Sequence, residues 1–462
     1  MKGKDRTTQE LINFVRETRY ESLPPQVIST AKKCFLDTLG CAIGGYQSCE
    51  GSIVTEFVRN AIGSPQSVVL GEGFKCFYPY AAFANATMAN SLDFDDTLFG
   101  HHGATVIPTV LSIGEIMGSD GKQIIEAIVI GYETSIRTVA CLKPKLGRFS
   151  GMWDLGTLQI TGVVAAVGKL LGLNNRQLEN AFGLAFNTSP VPTVRKERKI
   201  AGGRSMLKSG FGYTVQAGIH ASILAQQGFT GPSNFLDGDL GFWIEDESEK
   251  IGITGVADSL GENYGLLQVE FKPYPACRFL HPALEATEKL LQEHEIRPQD
   301  IVKVEVETFA LLADEYHNIG EPTSITDAQF SLPFCIGLLI HETNLTPSSF
   351  QKVNQDRSVL EVVRKVAVKV DDRSERKFPD QLTAEVTIFT QSGEQRSRYV
   401  ETPKGDLKNP MTEDELSGKF FNLTEDIYDK DQVKRIVEDI DRIEEEDNFT
   451  TFAKNLENLK RR

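Results

Sequence analysis

The sequence predicts a mainly α-helical protein, with a large all-helical domain and a smaller α+β domain. Three observations predict this fold class. Apolar residues recur at spacings of three and four from residue 7 to about residue 230, which is the period of an amphipathic helix. Near residue 268 the pattern changes to alternation, which is typical of half-buried strands. Helical spacing returns after Pro410. We therefore predict an all-helical domain from residues 1–267 and 409–462, and an α+β lid domain from residues 268–408.

Several helices of the first region carry their own start and stop signals. Pro24 and Pro25 precede the segment QVISTAKKCFLDTLGCAI, and Gly44 and Gly45 end it. The segment NNRQLENAFGLAFNTSP opens with asparagines and closes at Pro190, as expected of a capped helix. The short run SVVLGEGFKCF is strand-like and is the main exception to the helical pattern.

The predicted lid domain reads as a mixture of strands and helices. The segments VEFKPYP and DIVKVEVETFA predict two strands, and HPALEATEKLLQEHEI between them predicts a helix. The segments KVAVKVDD and LTAEVTIFTQSGEQRSRYVE predict a strand and a hairpin that turns at Ser392 and Gly393. TDAQFSLPFCIGLLIH and RSVLEVVRKV predict helices, and so do three C-terminal segments, which we expect to pack back on the first domain.

Composition and charge restrict the classes of function. The chain has 462 residues, of which 40% are hydrophobic and 24% charged, as in soluble globular proteins. Its net charge of −15 argues against nucleic-acid binding and anionic-membrane binding, although a local basic patch still allows a small anionic substrate. We find no membrane span and no signal-peptide core. The seven cysteines are scattered without metal-ligand spacing, which predicts reduced thiols in a cytoplasmic protein and no structural zinc.

The main candidate for chemistry is SLDFDDTLFGHHGATVIP, residues 91–108, which lies between two predicted helices of small residues. If the preceding helix continues, Asp93 and Thr97 share one face. Carboxylates, a hydroxyl and the paired His101 and His102 are suited to proton transfer at neutral pH. The alternative is a helix-capping cluster with a structural histidine, because Asp and Thr are good helix caps.

Two further stretches could bind an anion. Arg195 to Lys208 is strongly basic in an acidic chain, and Lys208 is surrounded by small and apolar residues. A lysine in such a setting needs an acidic partner or an anionic ligand. In FKPYPACRFLHPALEA, Lys272 ends a predicted strand, and Arg278 lies where a helix begins and can attract anions. The other reading of Arg195 to Lys199 is a solvated loop.

Three single residues are weaker candidates. Cys277 could be a nucleophile, but no base is paired with it locally. Trp153 in GMWDLGT could form a pocket wall and Asp154 could cap a helix, although purely structural roles are favoured for both.

The chain resembles the MmgE/PrpD family, which includes 2-methylcitrate dehydratases, cis-aconitate decarboxylases and iminodisuccinate epimerases. The resemblance covers nearly the whole chain and is carried by fragments in family order: CFLDTLGCAIGG, ANSLDFDDT, HHGATVIP, KLLGL, SMLKSGFGY, FKPYPACR, QFSLPFCIG and TPKGDLKNPMTEDEL. It implies a large helical domain built from both ends of the chain, a smaller α+β lid domain and a homodimer. It also implies that neither a metal nor an iron–sulfur cluster is needed, so we expect no cofactor.

The resemblance also implies roles for individual residues. The positions that match the family's catalytic motifs are Asp93, Thr97, His101, Lys208 and Lys272. We expect substrate binding from His102, Trp153, Arg204, Cys277 and Arg278. The SMLKSGFGY region looks most like the 2-methylcitrate dehydratase branch, although Leu155 stands where that branch has a histidine.

These matches lead to a functional expectation with open alternatives. We expect a cofactor-independent hydro-lyase that acts on a small hydroxy-di- or tricarboxylate such as 2-methylcitrate. A decarboxylase of the cis-aconitate type and an epimerase of the iminodisuccinate type are alternatives within the family. The others are a carboxylate-binding homologue without activity and a purely structural helical dimer.

Overall fold

The computed structural model describes residues 6–61, 63–142, 155–190, 205–206, 208, 210–237, 254–353 and 356–459. The described chain is mainly helical with a smaller α+β part, so the predicted fold class is confirmed. The helices, numbered in chain order, are α1 Thr7–Glu17, α2 Pro25–Gly45, α3 Cys49–Arg59, α4 Tyr78–Ser91, α5 His102–Met117, α6 Gly121–Leu142, α7 Leu155–Leu170, α8 Asn175–Thr188, α9 Phe211–Gln226, α10 Thr254–Ala257, α11 His281–Glu293, α12 Ala310–Ala313, α13 Ile325–Phe330, α14 Leu332–Glu342, α15 Arg357–Val363, α16 Asp372–Lys377, α17 Glu413–Thr424, α18 Lys430–Asp441 and α19 Phe449–Glu457.

In the part of the chain that the structure describes, six strands form two sheets. The strands are β1 Ser67–Val69, β2 Phe74–Cys76, β3 Ile301–Thr308, β4 Val366–Val370, β5 Ala384–Thr390 and β6 Gln395–Val400. Strands β1 and β2 make a small antiparallel hairpin where we predicted a strand-like run. The other four have the order β4-β3-β5-β6, in which β3 and β4 are parallel and the other pairs antiparallel. The predicted hairpin is present as β5 and β6, with Gly393 at φ 85° in its turn.

Local sequence signals account for many helix ends. Helix α2 begins at Pro25. Proline has no N–H, but the first N–H of a helix has no partner within the helix, so nothing is lost. The helix ends at Gly45 as predicted. Helix α8 has a capping box in which the Asn174 side chain accepts from the Gln177 N–H. The segment predicted as one helix from Thr326 to His341 is divided into α13 and α14, because the Ser331 side chain caps the second helix.

Among the described residues, the two largest clusters of buried apolar side chains are a helical core and a core within the predicted lid region. The larger helical core combines residues from α2, α4, α5 and α6 with residues 416–456, so the C-terminal helices do pack back on the first region. A separate core lies within residues 274–400, where α11 and α14 cover the four-stranded sheet. The exact domain boundaries at 267/268 and 408/409 stay a prediction.

One more prediction of local structure was wrong, and the condition for another was not met. The segment VEFKPYP forms no strand beyond one antiparallel bridge between Glu270 and Thr97, because Pro273 and Pro275 cannot donate to a ladder. Helix α4 ends at Ser91, and Asp93 has a φ of 50°, so Asp93 and Thr97 do not share a helical face.

Within the described residues, no helix has both the length and the apolar composition needed to cross a membrane.

Candidate active site

The site is built around the turn that joins α4 to α5, residues 92–101. The turn is fixed at its start, where the Asp93 N–H donates to the Asn90 carbonyl. Asp93 and Phe99 both have a φ of 50°, in the left-handed region that non-glycine residues rarely adopt. Such conformations cost free energy and occur preferentially at functional sites.

Two lysines distant in the sequence converge on Asp93. Lys272 Nζ lies 3.4 Å from Asp93 Oδ1 and donates to the Asp93 carbonyl at 2.9 Å. Lys208 Nζ lies 3.9 Å from the same Oδ1 and donates to the carbonyls of Asn90 and Ser91, at the end of α4. These three side chains, which match the family's catalytic motifs at distant positions of the sequence, therefore lie together in the structure.

All three charged groups are buried. Asp93 is 2% exposed and Lys272 is 1% exposed. Burial is the largest influence on the pKa of Asp93 and raises it, but Lys272, Lys208 and His101 together outweigh burial, so the pKa is lowered. For Lys208 burial outweighs Asp93, and the pKa of Lys208 is lowered. Asp93 is thus an ionised carboxylate that holds two ammonium groups.

His101 is the imidazole of this site, and Asp95 is its closest acidic partner. His101 Nδ1 lies 3.1 Å from Asp95 Oδ2, whereas Nε2 lies 3.8 Å from Asp93 Oδ1. Burial raises the pKa of Asp95, but the opposing effect of His101 and Lys272 is larger. The pKa is therefore lowered, and Asp95 is an ionised acceptor. We assign the Nδ1 proton to the bond with Asp95, which leaves Nε2 to face Asp93. The sequence had left open whether Asp95 takes part.

The backbone of His101 is held by a glutamine that our sequence reasoning missed. Gln159 on α7 accepts from the His101 N–H at 3.1 Å and donates to the His101 carbonyl at 2.7 Å. The side chain of His101 is 19% exposed, more than that of Asp93 or of either lysine. A polar residue on the apolar face of LQITGVVAAVGKL was the only sequence signal for Gln159.

The expectation that His102 binds substrate is wrong, because its ring is buried in the helical core. Its Nε2–H donates to the Leu98 carbonyl at 3.1 Å, and its Nδ1 accepts from the Ser135 hydroxyl at 2.7 Å. Both ring nitrogens are therefore occupied inside the helical core. Burial lowers the pKa of His102 to about 4, so the ring is neutral. His102 is a structural residue of α5.

Asp96 also faces the helical core and not the lysines. It accepts from the Tyr132 hydroxyl and, at 3.1 Å, from the Gly103 N–H. Burial, followed by the nearby Asp37, raises the pKa of Asp96 to about 7. This carboxyl group anchors the start of α5 in the capping role that our alternative reading assigned to the acidic cluster.

A third buried lysine supports the turn from the C-terminal region. Lys419 on α17 donates to the Phe94 carbonyl at 2.6 Å and pairs with Asp37 on α2 at 2.7 Å. Its side chain is almost fully buried, which for a lysine requires such partners. We did not single out Lys419 from the sequence, although its apolar neighbours in SGKFFNL were a signal like that of Lys208.

The first segment of the lid region closes the other side of the turn. Thr97 and Glu270 exchange both backbone hydrogen bonds at 2.9 Å. Arg278 then pairs with Glu270 through Nε at 2.7 Å and donates through Nη1 to the Lys404 carbonyl. Its buried Nη2 has no hydrogen-bond partner among the described residues.

Cys277 lies beside the same segment. Its N–H donates to the Gln329 carbonyl at 2.9 Å, and its Sγ is 4.0 Å from His317 Nε2. His317 is a partner that the sequence did not reveal, because it lies 40 residues away. Two other predicted binding residues, Trp153 and Arg204, lie outside the described residues.

The site is a buried cluster, and it does not coincide with two grooves on the surface of the described chain. One groove is lined by residues of α1, α6 and α7 such as Arg16 and Lys169, and the other by residues such as His294 and Thr343. Across the described ranges, no three His, Cys, Asp or Glu side chains are placed together as a metal site would require.

Comparisons with known proteins agree with this architecture. The chain matches the MmgE/PrpD N-terminal domain over residues 9–244 and the MmgE/PrpD C-terminal domain over residues 274–443. It is 25% identical to a cis-aconitate decarboxylase from Homo sapiens, with 97% of this chain and 94% of the relative covered. It is 22% identical to one from Aspergillus terreus, over 94% and 92%. It is 23% identical to a 2-methylcitrate dehydratase from Salmonella typhi, over 84% of each chain. The two family matches together span most of the sequence, and the chain belongs to the MmgE/PrpD family.

Proposed function

We propose that the chain is a lyase acting on a small hydroxy-di- or tricarboxylate, and that it removes water in the manner of a 2-methylcitrate dehydratase. The observation that carries the proposal is the buried pair of Lys208 and Lys272 opposite His101, with Asp93 between them. The named relatives support a lyase, because they are decarboxylases and dehydratases.

The charges of the site suit a reaction in which a carbanion forms next to a carboxylate. Lys208 and Lys272 offset Asp93 and Asp95, so the cluster is neutral while His101 is neutral. When His101 Nε2 takes the Cα proton, the cluster gains one positive charge at the moment the substrate gains negative charge. Stabilising charge that appears only in the transition state is the kind of interaction that raises kcat.

The proposed dehydration then has a balanced course. The Cα–H bond breaks, its proton passes to His101 Nε2, and the electron pair is stabilised on the adjacent carboxylate by the lysines. The C–O bond breaks as Thr97 orients the leaving hydroxyl, the C=C bond forms, and the hydroxide receives the proton from His101 to leave as water. General acid–base catalysis of this kind contributes roughly 10²–10⁴-fold.

A decarboxylase is the second candidate, because the two cis-aconitate decarboxylases cited above match more than nine-tenths of this chain. The same groups serve it: loss of CO2 leaves a carbanion stabilised by the lysines, and protonated His101 returns a proton to carbon. An epimerase and a carboxylate-binding homologue without activity remain the further alternatives. A homodimer and a cytoplasmic location likewise remain proposals.

The test is a panel of 2-methylcitrate, citrate, cis-aconitate and iminodisuccinate, with products followed by NMR. Water loss, CO2 release and racemisation separate the three reactions. We expect His101→Asn and Lys272→Met to lower kcat on the acid that is turned over by at least about 10²-fold. The matched controls are His341→Asn and Lys369→Met in the lid region, which should retain activity. Near-normal turnover in both site variants would refute the assignment, and binding without turnover would favour the non-catalytic homologue.

A further inference from the structure

Gln329 brings an amide group from the lid region to the end of α4. It lies near the end of α13, is 2% exposed, and donates through Nε2 to the Ser91 carbonyl at 3.2 Å. The same carbonyl accepts from Lys208 Nζ at 3.2 Å. Two donors on one oxygen are neighbours, so the amide of Gln329 lies beside the ammonium group of Lys208.

The orientation of this amide follows from its partner. Because the Ser91 carbonyl can only accept, the atom that faces it must be the nitrogen, and Oε1 points elsewhere. Oε1 is buried and has no hydrogen-bond partner among the residues that the structure describes. A buried acceptor without a donor is destabilising, and at a binding site a ligand can supply the missing donor.

Asp93 provides a second acceptor of the same kind. One of its oxygens faces the two lysines, and the other, Oδ2, is buried without a partner within the described part of the chain. The site thus offers ammonium donors for carboxylates and, next to them, unpaired acceptors. An ionised unsaturated acid has only acceptors, whereas a hydroxyl group also donates.

We propose that Gln329 is the specificity-determining residue that accepts a hydrogen bond from the substrate hydroxyl. This inference rests on the proposed function, in which Lys208 and Lys272 bind the carboxylates, and it narrows the substrate class. The substrate is a hydroxy acid, and a tricarboxylate of the same shape without the hydroxyl binds poorly. A site built to pair a hydroxyl discriminates strongly against analogues that lack it.

The experiment measures dissociation constants by calorimetry for two probes, citrate and propane-1,2,3-tricarboxylate, which differ only in the hydroxyl. We expect the wild-type chain to bind citrate at least about tenfold more tightly. Gln329→Met removes the acceptor, and the ratio of the two constants should fall to within about twofold of one. Gln329→Glu retains an acceptor, so the ratio should stay high although the added charge weakens binding of both acids.

The outcomes separate this inference from the proposed function. If both acids bind the wild type but the ratio is near one, or if the ratio survives in Gln329→Met, the role of Gln329 is refuted and the carboxylate site stands. If neither acid binds and no acid of the panel is turned over, the proposed function fails and the inference fails with it. If neither binds although another acid of the panel is turned over, the inference alone fails. Circular dichroism checks that the variants fold. If Gln329→Met does not fold, the wild-type ratio and Gln329→Glu decide, and a ratio near one in Gln329→Glu also refutes the role.

Discussion

At the residue scale, Asp95 determines which ring nitrogen of His101 carries the proton. Its carboxylate accepts a hydrogen bond from the Nδ1–H, so the lone pair of the ring lies on Nε2, on the side of Asp93. Asp95 is itself held by Asn90, whose side chain donates to Oδ1 at 3.0 Å. A carboxylate that fixes the tautomer of an imidazole acts through that imidazole, so within the proposed mechanism Asp95 is a positioning residue.

Asp95→Asn should therefore impair catalysis more than binding. The new side chain keeps one oxygen, which the Asn90 amide holds, so its amide nitrogen faces Nδ1. Because that nitrogen donates and cannot accept, the tautomer with the proton on Nδ1 loses its support. We expect kcat to fall by about 10²–10⁴-fold on the acid identified by the panel, with KM changed by less than about threefold. The acidic limb of the pH profile of kcat, where protonation of His101 removes the base, should move to lower pH, because the anion that stabilises the protonated ring is gone. An unchanged pH profile with reduced stability alone would show that Asp95 is only structural.

Asp96 should make stability depend on pH in the opposite sense to an ordinary paired carboxylate. Its pKa is raised to about 7 in the folded chain, so the folded state keeps a proton that the unfolded state loses near pH 4. Between these values the folded state binds more protons than the unfolded state, so the free energy of unfolding falls as pH rises. One proton changes the equilibrium constant between the folded and unfolded states by at most about tenfold per pH unit. Above pH 7 this contribution is constant.

The measurement is urea unfolding of wild type and Asp96→Asn at pH 5 and pH 8. The stability advantage of the wild type over the variant should be larger at pH 5. If the advantage is equal at both values, or larger at pH 8, the raised pKa is refuted.

Helices α2 and α17 show at the element scale how a C-terminal segment supports an N-terminal site. Two ion pairs join them: Lys419 with Asp37 in the core, and Lys33 with Glu413 at the surface, where the side chains are 35% and 78% exposed. Gly40 lets the helices approach closely, because a Cβ there would lie 2.7 Å from the Phe420 ring.

Lys419→Met should be far more costly than Lys33→Met. The first change leaves Asp37 buried without a cation and the Phe94 carbonyl without its donor, at a cost of about 3–5 kcal/mol in the free energy of unfolding. The second removes an exposed pair and should cost less than about 1 kcal/mol. Chemical denaturation of both variants provides the comparison, and equal losses would contradict the supporting role of Lys419.

The two chain segments that connect the helical and lid regions meet at the scale of the whole molecule. Gly405 has a φ of 88°, and a Cβ there would lie 2.1 Å from the carbonyl of Phe271, the residue before Lys272. The Lys404 carbonyl accepts from Arg278. The position of Lys272 therefore depends on a close contact between the outgoing and returning segments.

Gly405→Ala should damage stability and activity together. The strained φ costs about 1–3 kcal/mol, and the clash displaces Phe271 and with it Lys272. We expect a lower midpoint of thermal unfolding and a lower kcat. The control is Gly418→Ala on α17, where a Cβ meets no heavy atom within 4 Å and helix propensity favours alanine by up to about 1 kcal/mol. A harmless Gly405→Ala would refute the role of this contact.

Sequence periodicity determined most of the elements, because helix and strand spacing report which face of a segment is buried. It failed where tertiary contacts replaced local ones. VEFKPYP has the alternation of a strand but gains only one bridge, to Thr97. SLDFDDT continues a helical pattern, yet the chain leaves the helix before Asp93. There Lys208 donates to the carbonyls at the end of α4, and Lys272 donates to the Asp93 carbonyl.

By itself the sequence determined the fold class, the family, and the residue types of the site, because these depend on local spacing and on motifs read in order. Only the tertiary structure decided which side chains meet. It turned His101 toward Asp93 and His102 into the core, paired His101 with Asp95, and brought Gln329 and Lys419 to a turn some 240 and 320 residues earlier. The physical reason is that burial and hydrogen-bond satisfaction depend on neighbours in space, which the order of residues does not specify.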